Sequence, residues 1–156
     1  MIKVNVIINN TKWFQHIKNP NSYLGRKINK INLKDKRFSK VDILFTLLLS
    51  GSKEIKFLNN KFRKKNKATN VLSFPFQTKN KLNKKIKKKE PLYLGDIIIN
   101  FEKIKNKKKI KYFKDEFDSL WIHGLIHLFG HDHKKNIDYM KMNKIEKKYL
   151  DYINDR

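Results

Sequence analysis

His123-Gly124-Leu125-Ile126-His127-Leu128-Phe129-Gly130-His131-Asp132-His133 decides how this chain is read. Around it Phe113, Phe117, Leu120, Trp121, Leu125 and Leu128 recur at helical spacing, which predicts a helix over about 112–129. Residues four apart stand one above the other on a helix, so His123 and His127 face the same way. Gly130 predicts the end of that helix, with positive φ, and a turn that folds the chain back. His133 arrives from the turn as a third imidazole. Three neutral imidazoles about 2 Å from one ion leave a coordination position open to water, the arrangement of a catalytic rather than a structural zinc. His131 competes for the third place, but its position directly after the glycine turns it away from the pair. Asp132 reads either as a group orienting a histidine N–H or as a turn residue, and His16 as packing or surface.

Working outward, Ile2 to Asn9 alternates apolar and polar and predicts a strand. Residues 12–35 hold a helix that begins near an Asn21-Ser22 cap. Val41 to Leu49 is an almost continuous apolar run, expected to be a strand buried on both faces. A helix follows from Ser52 to Phe62, with Ile55, Leu58 and Phe62 on one face, and then a polar loop over 63–70. Val71 to Phe76 predicts a short strand whose proline places that end at an edge or terminus. Residues 77–91 are rich in lysine and are expected to form a solvated hairpin loop. Tyr93 to Asn100 returns as a strand, Phe101 to Lys109 predicts a short helix, and Lys135 to Ile153 a last amphipathic one. Phe74, Phe76 and Tyr93 flank the presumed cleft, and their strand positions favour core packing over base stacking. The fold class is α+β: a single small domain spanning 1–156, an approximately four-stranded mixed sheet packed with helices, with the metal site on a helix followed by a turn.

The chain has 156 residues and a formal net charge of +24. So large an excess points to a polyanionic partner such as nucleic acid. A second source competes: arginine is confined to positions 26, 37, 63 and 156 while lysine, asparagine and isoleucine abound, the imprint of an AT-rich genome. The lysine stretches at 79–89 and 103–111 fit an RNA backbone or a solvated surface equally well. There is no cysteine, so any metal is held by His, Asp or Glu. No apolar run approaches ~20 residues and no secretory leader is apparent, so no membrane partner is expected and the location expected is cytoplasmic.

The histidine spacing is that of a metzincin protease, but Gly124 occupies the place of the general-base glutamate, which argues against peptide hydrolysis. The stretch instead resembles the signature of the YbeY endoribonucleases, His-Gly-x-Leu-His-Leu-x-Gly-Tyr-Asp-His. Two further blocks resemble that family in order and spacing. Leu58-Asn59-Asn60-Lys61-Phe62-Arg63 with Ala68-Thr69-Asn70-Val71-Leu72-Ser73-Phe74-Pro75 is similar to its Leu-Asn-x-x-Tyr-Arg and Thr-Asp-Val-Leu-Ser-Phe-Pro segments, and Leu94-Gly95-Asp96-Ile97 to its Leu-Gly-Asp-Ile. The chain departs at Phe62, Asn70 and His131, where the pattern has Tyr, Asp and Tyr. The resemblance covers roughly residues 50–135. It implies one zinc, or another divalent transition metal, held by His123, His127 and His133, with a functional role for Arg63.

The activity so implied is a hydrolase that cuts single-stranded RNA, acting in 3′-end maturation of 16S ribosomal RNA and in late-stage 70S ribosome quality control, with RNA and the ribosome as partners. Arg63 would offer phosphate a planar fork of donors, in contrast to a surface salt bridge or loop anchor. The alternatives are a non-catalytic ribosome-binding factor braced by zinc and, third, a metalloprotease.

Overall fold

The computed structural model describes residues 1–132 and 136–155. In the first strand, β1 (Ile2–Ile8), Ile2, Val4, Val6 and Ile8 turn to the core while Lys3 and Asn5 face away. A 3-10 turn at Thr11–Gln15 buries Trp13, whose Nε1 donates to the Ser50 carbonyl at 3.0 Å. Helix α1 spans Pro20–Lys34 and starts just before the expected cap. Pro20 takes a first-turn position where a missing N–H costs nothing, and the Asn19 side chain accepts from Ser22 N at 2.9 Å. There follow β2 (Ile43–Ser50), α2 (Ser52–Arg63), β3 (Val71–Pro75), α3 (Lys79–Lys88), β4 (Leu92–Asn100), α4 (Ile110–Leu128) and α5 (Asn136–Ile153).

The four strands form one mixed sheet in the order β1-β2-β4-β3. β1 and β4 flank β2 in parallel, and β3 closes one edge antiparallel to β4. Pro75 thus ends an edge strand, as its missing donor requires. One face of the sheet carries the main core: Phe45 and Leu47 of β2 and Ile97 and Ile99 of β4 meet Leu24 and Ile28 of α1 and Phe117 and Trp121 of α4. Among the described residues the other face is covered by α2, through a small cluster of Ile55, Leu72 and Ile98. The expectation that β2 is buried on both faces is therefore corrected. Its burial alternates, and Leu44 is 42% exposed, because among the described residues no element covers that end of the second face.

Two other expectations change. The lysine-rich 77–91 segment is a helix, α3, anchored by buried Leu82 and by Ile86 one turn later, not a hairpin loop. Phe101 to Lys109 yields only a 3-10 turn, Phe101–Lys103, in place of a helix. The Glu116 carboxylate accepts from the backbone N–H groups of Lys105 and Asn106, donors that a continuing helix would have used internally. Within β4 the pairing slips at a bulge on Gly95, where φ is +134° and a Cβ would lie 2.1 Å from the Phe74 carbonyl oxygen. Among the described residues no helix is long and apolar enough to cross a membrane.

Candidate metal centre

Helix α4 packs on the sheet with no space for a side chain at Gly124. A Cβ there would come 2.7 Å from Ile97 Cγ2 and 3.1 Å from the Ser73 hydroxyl. Residue 124 thus points into β3 and β4, so a glutamate at this place has no room to face the histidines. His123 and His127 flank the glycine on the helix and are partly buried. Their rings stand at 79° with centroids 4.6 Å apart, and the two Nε2 atoms approach to 3.0 Å.

The Nδ1 atoms fix which nitrogens carry protons. His127 Nδ1 lies 2.9 Å from the His131 carbonyl, and a carbonyl oxygen only accepts, so the proton is on Nδ1. His123 Nδ1 lies 2.5 Å from Glu146 Oε1 on α5, and the carboxylate accepts in the same way. In the neutral form, an imidazole protonated at Nδ1 turns an Nε2 lone pair toward the small space between the two rings. Two nitrogens bound tetrahedrally at about 2.0–2.1 Å to zinc would be about 3.3 Å apart, so the spacing fits a shared cation. Carboxylate and carbonyl partners on the far ring nitrogen are those that orient metal-binding histidines.

The local chain produces this geometry. Gly130, at φ +82°, ends α4 in a left-handed turn: its N–H donates to the His127 carbonyl at 2.9 Å and His131 N–H to the Ile126 carbonyl at 3.3 Å. That paired closure swings the His131 carbonyl back over the His127 ring. The His131 side chain goes elsewhere, into a pocket of about 310 Å³ lined also by Arg37, Lys79, Phe129 and Tyr149. Burial, then the cations Lys79 and Arg37, push its pKa down. His16 packs, stacked on Phe113 with ring centroids 4.2 Å apart.

Of the predicted ligands, His123 and His127 come together, while His133 lies outside the described residues. Among the described residues no group of three His, Asp or Glu gathers to hold an ion. Arg63, at the end of α2, reaches the free edge of β3, where Nη2 donates to the Ser73 carbonyl at 2.7 Å and the guanidinium sits 5.4 Å from the Phe74 ring centroid. Ser73 thus touches both parts, its carbonyl holding Arg63 and its hydroxyl facing Gly124. Asn59 is buried and donates to the Lys67 carbonyl at 2.9 Å, tying the loop after α2 in place. At Asn70 the backbone carbonyl accepts from Asn100 N–H.

Glu146 is not marked by the histidine motif, which points instead to Asp132 as the acid orienting a histidine. A signal for it exists in the sequence: Met142, Tyr149 and Ile153 form the buried stripe of α5, and Glu146 is an acid on that stripe.

Residues 7–154 match the family described as endoribonuclease YbeY. The chain belongs to that family. It is 43% identical over 148 residues to the endoribonuclease YbeY of Pelagibacter ubique (strain HTCC1062), covering 94% of this chain and 92% of the relative. With the endoribonuclease YbeY of Ehrlichia canis (strain Jake) it shares 35% identity over 155 residues, 98% of this chain and 93% of the other. The solution structure of TM1509 from Thermotoga maritima superposes with a TM-score of 0.59 at 24% identity, over 98% of this chain and 89% of that one, and so has the same fold.

Proposed function

We propose that this protein is a metal-dependent endoribonuclease that cuts single-stranded RNA, with one zinc or similar divalent ion held by His123, His127 and His133. The observation that carries the metal reading is the convergence of the two Nε2 atoms at 3.0 Å while both Nδ1 atoms are engaged by acceptors. The name shared by the family relatives supports RNA cleavage, and the motif resemblance supports the 3′ end of 16S ribosomal RNA and 70S quality control as the setting.

When bound, the ion supplies Lewis acidity at a phosphodiester. The protein's own groups do the rest. Glu146 and the His131 carbonyl hold the imidazoles in one tautomer and make them better donors. Arg63 is exposed, and only part of its donor fork is spent on Ser73, so it can meet a phosphate whose charge grows in the transition state. The Phe74 ring and the Ser73 carbonyl hold that guanidinium in place.

The test is metal analysis of the purified protein joined to cleavage mapping on precursor 16S ribosomal RNA. Wild type should carry about one transition metal ion per chain and cut. His127→Ala should lose both, and Arg63→Glu should keep metal and fold but stop cutting. Cleavage that persists in both variants overturns the nuclease reading and leaves a metal that only braces α4 against α5. Chelator-sensitive proteolysis of casein with RNA left intact would instead favour a protease.

A further inference from the structure

The sheet face opposite α4 carries a second feature. Beyond the end of α2 a cleft of about 350 Å³ lies open between Ile7, Thr46, Leu48, Phe62, Phe74 and Asp96. Phe62, which lines it, is 59% exposed, and two large rings outside its lining are exposed too: Phe57, on the outer side of α2, at 61% and Phe76, just past β3, at 69%. Phe76 contradicts the core packing expected of it, because β3 ends at Pro75 and leaves the next residue beyond the sheet edge.

These rings are ordered by one another and by cations. Phe62 stands edge-on to Phe74 with centroids 5.5 Å apart, and Phe76 edge-on to Tyr93 at 5.7 Å. Lys61 Nζ lies 5.8 Å from the Phe57 centroid and 5.4 Å from that of Phe62. Lys56, Lys64, Lys65 and Lys67 extend the positive charge along and beyond α2. The two nearby acids are outnumbered by these lysines and accept from neutral donors: Glu54 from the Ser50 hydroxyl and Asn9, and Asp96, in the cleft lining, from the Tyr93 hydroxyl at 2.5 Å. Flat exposed rings alternating with cations match a strand that has flat bases and a phosphate in every repeat.

We infer that Phe57 and Phe62, with Phe76 on the far rim, form a base-stacking platform that seats single-stranded RNA on the open sheet face and feeds it around the β3 edge to the histidine pair. The phosphates run along Lys56, Lys61, Lys64 and Lys65. Arg63 is the junction, since it touches Phe74 on the open face and the Ser73 carbonyl at the edge. This inference rests on the RNA-cleaving reading above. It makes Phe57 and Phe62 positioning residues that act before the chemistry.

The test uses the full chain, a fluorescent single-stranded oligoribonucleotide, and the same oligonucleotide with abasic sites, in chelator so that binding is read without cleavage. Phe57→Ala and Phe62→Ala should each weaken binding about 5- to 100-fold, whereas Phe62→Tyr should bind like wild type. The abasic strand should bind wild type and the alanine variants alike. With metal restored, the alanine variants should raise KM and leave kcat near wild type. Phe57 is 61% exposed, so its variant tests the platform even where Phe62→Ala unfolds. Alanine variants that bind the intact strand as wild type does, with unchanged melting, overturn the platform. So does a wild-type dimer that Phe57→Ala dissociates, which would assign the face to a second copy. Wild type that neither binds nor cuts any single-stranded RNA removes the nuclease reading itself, and the platform with it.

Discussion

Glu146, Gly124 and Arg37 each make contacts that a single substitution can read. Glu146→Gln keeps the shape of the side chain but weakens the acceptor on His123 Nδ1, and metal affinity should fall about 10- to 100-fold in a competition assay with a chromophoric chelator. Gly124→Ala drives a methyl group to 2.7 Å from Ile97. Helix and sheet must part slightly, so a loss of about 1–3 kcal/mol is expected in urea unfolding. Arg37 tests the linkage of charge to stability. Burial pushes the Asp35 carboxyl up, but the hydrogen bonds and charge of Arg37, with help from the Tyr149 hydroxyl, outweigh it and hold the group below its ordinary value. A carboxyl whose folded pKa is depressed adds stability above its unfolded pKa and loses it as pH falls through the folded one. Arg37→Ala should therefore cost about 1.5 kcal/mol at neutral pH and soften the acid loss below about pH 4, as thermal melts across pH will register.

At the scale of elements, α4 with its closing turn works as one device. Gly130→Ala meets strain at φ +82° and crowds Lys79 at 2.9 Å. It should cost about 1–2 kcal/mol and loosen His127, so metal content should fall more than helicity by circular dichroism. The helix, its glycine stop and the histidine pair are legible in the sequence, because helical spacing alone sets which rings stack and a positive φ selects glycine. The strands are legible to within a residue or two from alternation and from Pro75. Helix α3 is not: in KNKLNKKIKK only Leu82 and Ile86 mark an apolar face, and a lysine-rich surface looks the same on a helix as on a loop. Nor is the open sheet face, since an apolar strand does not say how many faces are covered. The Glu146 contact joins residues far apart in the chain, and no local pattern encodes such a pair.

For the whole molecule, the charge of +24 is the dominant property, and its distribution matters more than its size. The cations beside the exposed phenylalanines lie along the proposed route for RNA, while those of α3 surround a helix anchored by Leu82 and Ile86. Changing Lys61, Lys64 and Lys65 together to glutamine should flatten the salt dependence of RNA binding by about 0.7 for each phosphate no longer neutralised. The same change at Lys84, Lys87 and Lys88 should leave that slope as it was. A titration from low to high salt distinguishes charge that serves binding from charge that genomic bias has left on the surface. The reach of Glu146 from α5 to His123 has a further consequence. A ligand that binds only when that contact is made stabilises the docked helix by the same free energy with which the helix tightens the ligand. At a free concentration a hundred times its dissociation constant, the proposed metal lends the fold about 2.7 kcal/mol. Starvation for the ion would then cost more than catalysis: α5 comes loose as the metal leaves, and the chain is exposed to proteases along with its loss of activity.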